Sequence, residues 1–449
     1  MEKFCYIIYK KEKDNMEKTI KIGVFGLNRG AHYFDIIMAN NGEIVAVCDK
    51  HEKLVKQSVD RLGGTAKGFT DFEEFIKEPM DCIFLANYFH EHAKYAIRCL
   101  EMGIHVISEC TSNATMAEGV ALCRAAEKSK AIYMLAENYP YMLFNQEIRR
   151  VCKDGSLGKI MFAEGEYNHP FSPYFEEKKG IRYTVSLKDS LDHWRAYLPA
   201  TYYVTHSLAP LMAATGAFPR RLNAMPIFIP MPEDCDNFKM TGDKTAVIMI
   251  QNDDGSVFRV TGCAGFGAHE NSYRVCGTKG QIENVRGGEG RVMLRYNDWE
   301  MPEGWEKPDK YYLPELCDKD KALIEKAGHG GGDFFVFREF FKCVREGKPH
   351  EFDVYFATAM ASVAILAHRS LLAGGASFEV PDFRLESDKK KWENDWQTPF
   401  CYSDGYMESE LTTPNIPCCS KPEYRPSEKQ LENYSRWLER YNNGELDEL

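Results

Sequence analysis

A glycine turn between two predicted elements has the residue types that bind a nucleotide phosphate. Gly26 and Gly30 follow the apolar run 20–25 and open a helical stretch. Gly26 permits the tight turn out of the strand, and Gly30 lets the helix lie close to that strand. The first-turn amides of the helix, together with its dipole, attract pyrophosphate. The turn therefore predicts a dinucleotide-binding site.

Asp49 indicates which dinucleotide is expected, and two residues of the turn show where it departs from the usual motif. Asp49 ends the next apolar run, about twenty residues after the turn, where a carboxylate bonds both ribose hydroxyls and repels a 2′-phosphate. The pattern therefore favours NAD over NADP. Asn28 stands where such turns usually have their middle glycine. We therefore expect Arg29 and the glycine after it to define the pyrophosphate turn, with Asn28 beside it.

Strands and helices alternate through the first third of the chain. The predicted elements are a strand at 81–86, a helix at 91–102, a strand at 104–109, a helix at 116–128 and a strand at 131–135. That order implies a parallel sheet with right-handed crossovers and helices on both faces. After about residue 137 the pattern changes to consecutive strands and hairpins. Two later helices, near 334–345 and 354–372, are expected to return and pack on the first domain.

We therefore predict an α/β chain with an N-terminal Rossmann parallel sheet and a C-terminal α+β domain that has an open, largely antiparallel sheet. A length of 449 residues suits two domains. The expected parts are a disordered leader at 1–18, an NAD-binding domain at 19–140, a substrate and oligomerisation domain at 141–385, and a wrapping extension at 386–449. The opening Met-Glu-Lys recurs at Met16, so either Met1 or Met16 could be the natural start.

Composition narrows the classes of partner. A net charge of -11 argues against nucleic acid, because phosphate contacts need a basic surface. We identify no apolar run of the length that a membrane span requires. An odd count of 15 scattered cysteines favours reduced thiols and a cytoplasmic location over a disulfide framework. His90 and His92 lack the further ligands of a metal motif, so no metal is predicted.

Several later segments resemble the Gfo/Idh/MocA oxidoreductases, over roughly residues 21–383. Residues 86–92 (ANYFHEH) stand where that family usually has Ala-Thr-Pro and then a histidine, and residues 103–109 (GIHVISE) match the strand that leads to its Glu-Lys-Pro motif. Here the motif reads Glu109-Cys110-Thr111. The family lysine, which commonly assists proton transfer beside the nicotinamide, is missing, which argues against simple dehydrogenase chemistry.

The chain also resembles the NAD-dependent glycoside hydrolases of the same superfamily, typified by α-N-acetylgalactosaminidase, which lack that lysine too. The most specific segment is YVTHSLAP at 203–210, which resembles their Tyr-Pro-Thr-His-Gly-Leu-Gly-Pro stretch. Further segments that resemble the subgroup are ENY at 137–139, GSLGKI at 155–160, EYNH at 166–169, WR at 194–195, GHGGGDF at 328–334 and VPDF at 380–383.

The resemblance implies a role for each candidate residue. His206 is the expected base for a sugar hydroxyl, since its unperturbed pKa lies near neutrality. Tyr203, at helical spacing from it, would relay the proton or hold the substrate. Tyr167 is the expected C2 base or its positioner, with His169 beside it, and Arg195 would orient hydroxyls or raise the acidity of a tyrosine. The expected cofactor contacts, besides those of the glycine turn and the ribose acid, are Asn87, His92, Glu109 and Asn138.

Ordinary structural roles compete with these assignments. A tyrosine at a strand end, such as Tyr167, is usually a core residue with its hydroxyl satisfied. A histidine such as His169 or His92 can equally support the site from behind. His329 lies in a glycine-rich turn, and Cys110 is either a reactive thiol or a small replacement for lysine.

Three functions remain open at this stage. In the first, a glycosidase uses NAD transiently: C3 of a bound glycoside is oxidised, the C1 substituent is eliminated, water adds and C3 is reduced again. In the second, a dehydrogenase of a sugar or cyclitol releases NADH. In the third, the protein is a non-catalytic NAD-dependent sensor. All three involve a small-molecule ligand and a homo-oligomer formed through the open sheet, and the sequence does not name the sugar.

Overall fold

The structure is a computed structural model, and it describes residues 18–175, 191, 193–400 and 414–445. The predicted disordered leader therefore lies outside the described residues except for Lys18. Part of the predicted C-terminal extension, 401–413 and 446–449, is outside them as well.

The first sheet has six parallel strands in the order β3-β2-β1-β4-β5-β6. Its strands are β1 Ile20–Phe25, β2 Gly42–Cys48, β3 Lys67–Phe69, β4 Cys82–Leu85, β5 His105–Ser108 and β6 Tyr133–Leu135. The predicted Rossmann sheet is confirmed. Its central strands are buried on both faces and therefore consist of apolar residues without alternation.

Helices connect these parallel strands. They are α1 Leu27–Gly30, α2 Phe34–Ala39, α3 Glu52–Arg61, α4 Phe72–Phe75, α5 His92–Glu101 and α6 Met116–Lys128, with a short 3-10 turn between α1 and α2. The sequence marks the start of α6 clearly. The Thr115 side chain accepts from the Glu118 amide, and the Glu118 side chain bonds back to the Thr115 amide, so both orphan donors are satisfied.

The second sheet has nine strands in the order β14-β13-β12-β11-β7-β10-β9-β8-β15. Only β7 and β10 pair in parallel, so the sheet is largely antiparallel as predicted. The strands are β7 Ile160–Asn168, β8 Pro219–Phe228, β9 Asp243–Asn252, β10 Val257–Ala264, β11 Glu270–Gly277, β12 Gly280–Asn284, β13 Val292–Tyr296, β14 Asp309–Tyr312 and β15 Phe378–Glu379. The sequence analysis missed β8, because Pro219 and Pro226 read as strand breakers.

Helices cover one face of this sheet and reach the first domain. They are α7 Leu143–Lys153, α8 Thr205–Thr215, α9 Lys321–Ile324, α10 Gly332–Glu346 and α11 Val354–Leu372. The predicted return to the first domain is confirmed in α10, where the Phe337 ring contacts Tyr33 and Phe84 at 5.3 and 5.1 Å between centroids.

Helix α11 corrects one expectation from composition. By length and apolar character it meets the requirement for a membrane span, although no such run was predicted. In the structure, 94% of the apolar 18-residue stretch of this helix is buried inside the protein. The helix therefore has the burial of a core helix that packs between the two sheets.

The chain beyond residue 385 lies against both domains. Helix α12, Glu386–Trp392, places Lys389 beside Glu127 of the first domain, and Asp395 forms a bidentate ion pair with Arg369. Helix α13, Glu428–Asn442, packs its Trp437 ring on Phe175, at 4.6 Å between centroids. The described part of the extension is thus attached at two separate places.

Candidate active site and cofactor cleft

The glycine turn has the geometry that its residue types predict. Gly26 has a φ of +91°, and a Cβ there would lie 2.3 Å from the backbone of Ala86. A Cβ on Gly30 would lie 2.6 Å from Val24 Cγ1, so that glycine holds α1 against β1. Asn28 is exposed at the start of α1. It therefore stands beside the pyrophosphate position, where a middle glycine would be.

Asp49 lies at the end of β2 and is only 8% exposed. Its Oδ2 accepts from the Leu27 amide at 2.7 Å, and its Oδ1 accepts from the His51 amide at 2.9 Å. The carboxylate therefore fixes the glycine turn, a role that the sequence analysis did not assign. Each oxygen still has acceptor capacity for a ribose hydroxyl.

Asn87, just after β4, provides an independent sign that this cleft holds a ligand. Both polar atoms of its side chain are buried and have no hydrogen-bond partner among the described residues. Buried amides are almost always satisfied, so the orphaned group fits a cofactor whose polar atoms would complete it.

His92, another predicted cofactor contact, is buried. The ring is 1% exposed, with Nδ1 2.8 Å from the Thr111 carbonyl and Nε2 3.3 Å from the Asn87 carbonyl. Burial lowers its pKa, which keeps the ring neutral. Both ring nitrogens lie against backbone carbonyls of the loops after β4 and β5, and the single N–H of the neutral ring can donate to only one of them. The contact of His92 with the cofactor stays a prediction.

Three other predicted cofactor residues join one polar network across the cleft. Arg29 Nε donates to Glu109 Oε1 at 2.9 Å, and the Tyr33 hydroxyl lies 3.1 Å from both Glu109 Oε1 and Asp333 Oδ1. Asn138 Nδ2 donates to the same Asp333 oxygen at 2.6 Å. Arg29, Glu109 and Asn138 are thus bound to protein groups in this state. Tyr33 and Asp333, which sequence reasoning did not single out, link the glycine turn to the start of α10.

His329 completes this network from the glycine-rich segment that precedes α10. Its Nδ1 lies 3.0 Å from both carboxylate oxygens of Asp333. Burial acts against protonation, but the bond and the charge of Asp333 outweigh it and raise the pKa of His329. The same contact, with Arg29 nearby, lowers the pKa of Asp333 in spite of burial. Each shift favours the charged form of its group.

A second carboxylate, Glu137, supports the predicted base. His206 Nδ1 lies 2.9 Å from Glu137 Oε1, and the glutamate is fully buried. It also accepts from Cys110 Sγ at 3.1 Å and from the Tyr139 amide at 3.2 Å. Burial raises the pKa of Glu137, but the nearby His206 and these hydrogen bonds outweigh that effect and lower it overall.

Glu137 was quoted from the sequence only as part of a resemblance and not as a site residue. It follows β6, whereas His206 lies in the first turn of α8, so their contact depends on how the two domains pack. Because the carboxylate accepts the Nδ1 proton, Nε2 is the nitrogen that can take a proton from a ligand.

Aromatic rings surround the His206 imidazole. Tyr139 stacks on it at 4.1 Å between centroids, and Tyr167 and Tyr203 meet it edge-on at 5.0 and 5.1 Å. The predicted trio of His206, Tyr203 and Tyr167 is therefore brought together. Burial raises the pKa of Tyr167 and of Tyr203, so both hydroxyls are protonated near neutral pH. This favours the positioning role for Tyr167 over the role of C2 base.

The remaining predicted residues lie farther out along the same aromatic cluster. His169 is 5.7 Å from the Tyr167 ring and 4.8 Å from the His269 ring. Burial, with the positive charge of neighbouring groups, lowers the pKa of His169. Arg195 stands 4.6 Å over Trp194, whose ring stacks on Phe89 beside Tyr203. Along this stack the rings of Trp194 and Phe89 lie between Arg195 and Tyr203.

The described residues of this cleft include neither a reactive cysteine nor a metal site. The cysteines within the described chain are free thiols, and burial raises the pKa of Cys110 well above its usual value. That thiol is a hydrogen-bond donor to Glu137 rather than a nucleophile. The described residues contain no group of three or more side chains suited to a metal ion.

Comparisons with known proteins agree with this architecture. Residues 20–137 match the family model "Oxidoreductase family, NAD-binding Rossmann fold", and residues 236–393 match "Glycosyl hydrolase 109, C-terminal domain". A glycosyl hydrolase family 109 protein of Saccharopolyspora erythraea is 24% identical over 85% of this chain and 85% of its own length. A second, from Akkermansia muciniphila, is 23% identical over 84% of this chain and 83% of its own length.

A solved structure shows the same fold. Levoglucosan dehydrogenase in complex with NADH and levoglucosan superposes with a TM-score of 0.66 at 18% identity, over 81% of this chain and 100% of that one. The matches show an NAD-dependent enzyme whose first domain is of the Gfo/Idh/MocA oxidoreductase class. Within that class, the chain joins the NAD-binding domain to the C-terminal domain of glycosyl hydrolase family 109, as its resemblance implied.

Proposed function

We propose that this protein is a glycosidase that uses NAD transiently at C3 of a bound glycoside. In this reaction the C3 hydroxyl is oxidised, the C2 proton is removed, the C1 substituent is eliminated, water adds at C1 and C3 is reduced again. The relatives named as family 109 glycosyl hydrolases support the hydrolytic outcome. The Glu137–His206 pair is the single observation that carries the proposal.

His206 performs the proton transfer at the sugar hydroxyl. Because Nδ1 donates to Glu137, the neutral ring presents Nε2 as an acceptor, and the buried carboxylate stabilises the imidazolium that forms. Tyr139, stacked on the ring, holds its plane. The pair therefore supplies a base whose orientation is determined before substrate binds.

Tyr167 and Tyr203 hold the sugar on either side of that base. Both hydroxyls are phenols, so they donate hydrogen bonds to sugar oxygens and polarise a C3 ketone, which acidifies the C2 hydrogen. His169, kept neutral and 5.7 Å from the Tyr167 ring, is positioned to accept a proton passed through that tyrosine.

The cleft beside this pair holds the cofactor. Gly26 and Gly30 would hold its phosphates, Asp49 would bond its ribose, and the unsatisfied amide of Asn87 would find its hydrogen-bond partners on the cofactor. NAD, when bound, accepts hydride from C3 and later returns it. The ion pairs of Arg29 with Glu109 and Asp333 join the glycine turn to the loop after β5 and to the start of α10.

The test measures release of the aglycone against formation of free NADH. The protein is purified without added cofactor, denatured, and its supernatant assayed for NAD; the native protein is then offered aryl α- and β-glycosides and free sugars. The expected result is copurified NAD, aglycone release without accumulation of NADH, and entry of solvent deuterium at C2.

Formation of stoichiometric NADH from a free sugar would instead identify a net dehydrogenase and contradict the proposal. Failure to turn over any glycoside or sugar while NAD remains bound would favour the sensor. His206→Ala is expected to abolish turnover and leave bound NAD unchanged.

A further inference from the structure

Two lysines lie over the same aromatic ring at the edge of the second sheet, just beyond the predicted catalytic residues. Lys239 Nζ lies 5.2 Å and Lys244 Nζ 5.0 Å from the centre of the Phe171 ring. Phe171 follows His169 by two residues, and the His169 amide donates to the Ala264 carbonyl at the end of β10. This basic cluster, defined by Lys239, Lys244 and His169, therefore adjoins the Tyr167 side of the site.

Register places the cluster on the face of the sheet that carries the catalytic groups. Side chains alternate along a strand, so Lys244 shares a face with the buried Ala246 and Ile248 of β9. The same face of β7 carries Tyr167, whose ring meets His206. Since β9 begins where β10 ends, Lys244 lies at the end of the sheet where His169 leaves β7.

Lys244 is the unusual member, because it is a nearly buried cation that has no carboxylate partner among the described residues. It is 8% exposed, and its ammonium contacts Met231 Sδ and the Phe171 ring. The neighbouring Asp243 is held on the opposite face by Ser420, whose amide donates to it at 2.6 Å. Burial lowers the pKa of Lys244 to about 8. A buried ammonium normally has an ionic partner, and none of the described residues provides one.

Other cationic or basic groups surround the same space. The His169 ring faces His269 at 4.8 Å, and the positive charges of Arg195 and Lys239 act on His169. The chain as a whole has a net charge of -11, so a concentration of positive charge here is not a general property of its surface. The cofactor phosphates belong to the other domain, at the Gly26 turn, and do not account for it.

We propose that the substrate carries an anionic group, a carboxylate or a sulfate ester, which is seated at the basic cluster beside Lys244. The enzyme would then act on glycosides of acidic sugars, with the charged substituent bound beyond Tyr167 while C3 lies at His206. This inference rests on the proposed function for its reaction but makes a separate statement about binding. An anion at this point supplies the missing partner of Lys244 and is shielded from competing water.

The experiment uses the NAD-containing protein and matched pairs of aryl glycosides. Within each pair the ring and anomer are the same, and C6 is either a hydroxymethyl or a carboxylate; a second series carries a sulfate ester. Aglycone release gives kcat/KM, and calorimetry with the corresponding methyl glycosides gives binding. We expect the charged member of one series to exceed its neutral partner by at least about 100-fold in kcat/KM. The series in which this occurs identifies the anion.

Lys244→Met and Lys239→Met test whether the cluster is the cause. Each is expected to reduce that preference by at least about tenfold. Methionine is similar in length to lysine, and the substitution removes a buried charge that has no ionic partner among the described residues. The melting temperature of ligand-free Lys244→Met is therefore expected to rise rather than fall. The control is Lys310→Met, which removes another lysine that lies over an aromatic ring, 5.8 Å from Trp305; its preference should equal that of the parent.

The outcomes separate the two proposals. Equal turnover of neutral and charged glycosides, unchanged in Lys244→Met, overturns this inference and leaves the glycosidase proposal standing. If a charged glycoside binds and that binding is lost in Lys244→Met, the anion site is supported. If in addition no compound releases its aglycone, the glycosidase proposal is overturned. Failure of every charged glycoside to bind overturns the anion site.

Discussion

At the scale of single residues, the site depends on a buried carboxylate that orients a histidine. Glu137 has three donors around it, from Cys110, Tyr139 and His206, which keep it ionised in spite of complete burial. Cys110 stands where the wider family has its lysine. In the proposed mechanism the proton transfer therefore falls to His206, and the thiol is a hydrogen-bond donor to Glu137.

Replacing that carboxylate tests the arrangement. Glu137→Gln retains the shape but can donate to Nδ1, which favours the tautomer whose proton is on Nε2 and removes the acceptor. We expect kcat to fall by about 10³-fold while KM and copurified NAD remain near the parent values. Steady-state kinetics and an NAD assay of the denatured protein measure this. Glu325→Gln, at an exposed glutamate, is the control, and kcat within about threefold of the parent in Glu137→Gln would contradict the role.

At the scale of elements, the start of α10 is joined to the glycine turn by a polar network. Asp333 contacts Tyr33 and Asn138 of the first domain and His329 of its own segment. A single carboxylate therefore couples the phosphate turn, the loop after β6 and the approach to α10. The pKa of Asp333 is lowered and that of His329 is raised, so each partner stabilises the charge of the other.

This ion pair predicts a dependence of stability on pH. Because the pKa of His329 is higher in the folded than in the unfolded state, its protonated form stabilises the fold. That contribution is complete below the unfolded pKa of histidine, about 6.5, and it is lost as the pH rises through the raised folded-state pKa. His329→Gln should therefore be destabilised relative to the parent at pH 6, on the order of 0.5–1 kcal/mol, and less so at pH 9. Denaturant unfolding at both values measures the difference; a gap that is the same at both would show that only the hydrogen bond matters.

At the scale of the whole molecule, the C-terminal extension reaches the substrate side of the second domain. Trp437 and Tyr434 of α13 form a hydrophobic cluster with Phe175, Cys235 and Phe238 that is separate from the main core. The Tyr434 hydroxyl also accepts from the amide of Leu191 at 2.8 Å. The segments that this cluster holds include Met231, which contacts Lys244. Helix α13 thus supports the basic cluster from outside.

Removal of the Trp437 ring should therefore affect the sugar and not the cofactor. Trp437→Ala leaves a cavity in the small cluster, and we expect KM for the preferred glycoside to rise at least about tenfold, with copurified NAD unchanged. Trp299→Ala is the matched control, because that tryptophan is 81% exposed. If copurified NAD fell by the same factor as KM rose, the result would instead indicate general unfolding.

Much of the architecture follows from local patterns. The turn from Gly26 to Gly30 and the helix 116–128 depend on contacts between near neighbours in sequence, and the parallel sheet follows from the alternation of strands and helices; these predictions are confirmed. Five of the six parallel strands were predicted, whereas the three-residue strand β3 was missed. The strand β8 was missed because its prolines obscure the pattern, and that strand is formed by pairing with β9 and β15.

The amino-acid sequence by itself determined the NAD-binding domain, the form of the second sheet and the histidine at the centre of the site, because glycine turns, apolar periodicity and a motif are readable within short windows. Only the tertiary structure decided that Glu137 supports His206, that His92 lies between the loops after β4 and β5, and that Lys239 and Lys244 both lie at Phe171. The physical reason is that a contact between side chains of distant elements depends on domain packing and strand register, and neither leaves a local signal.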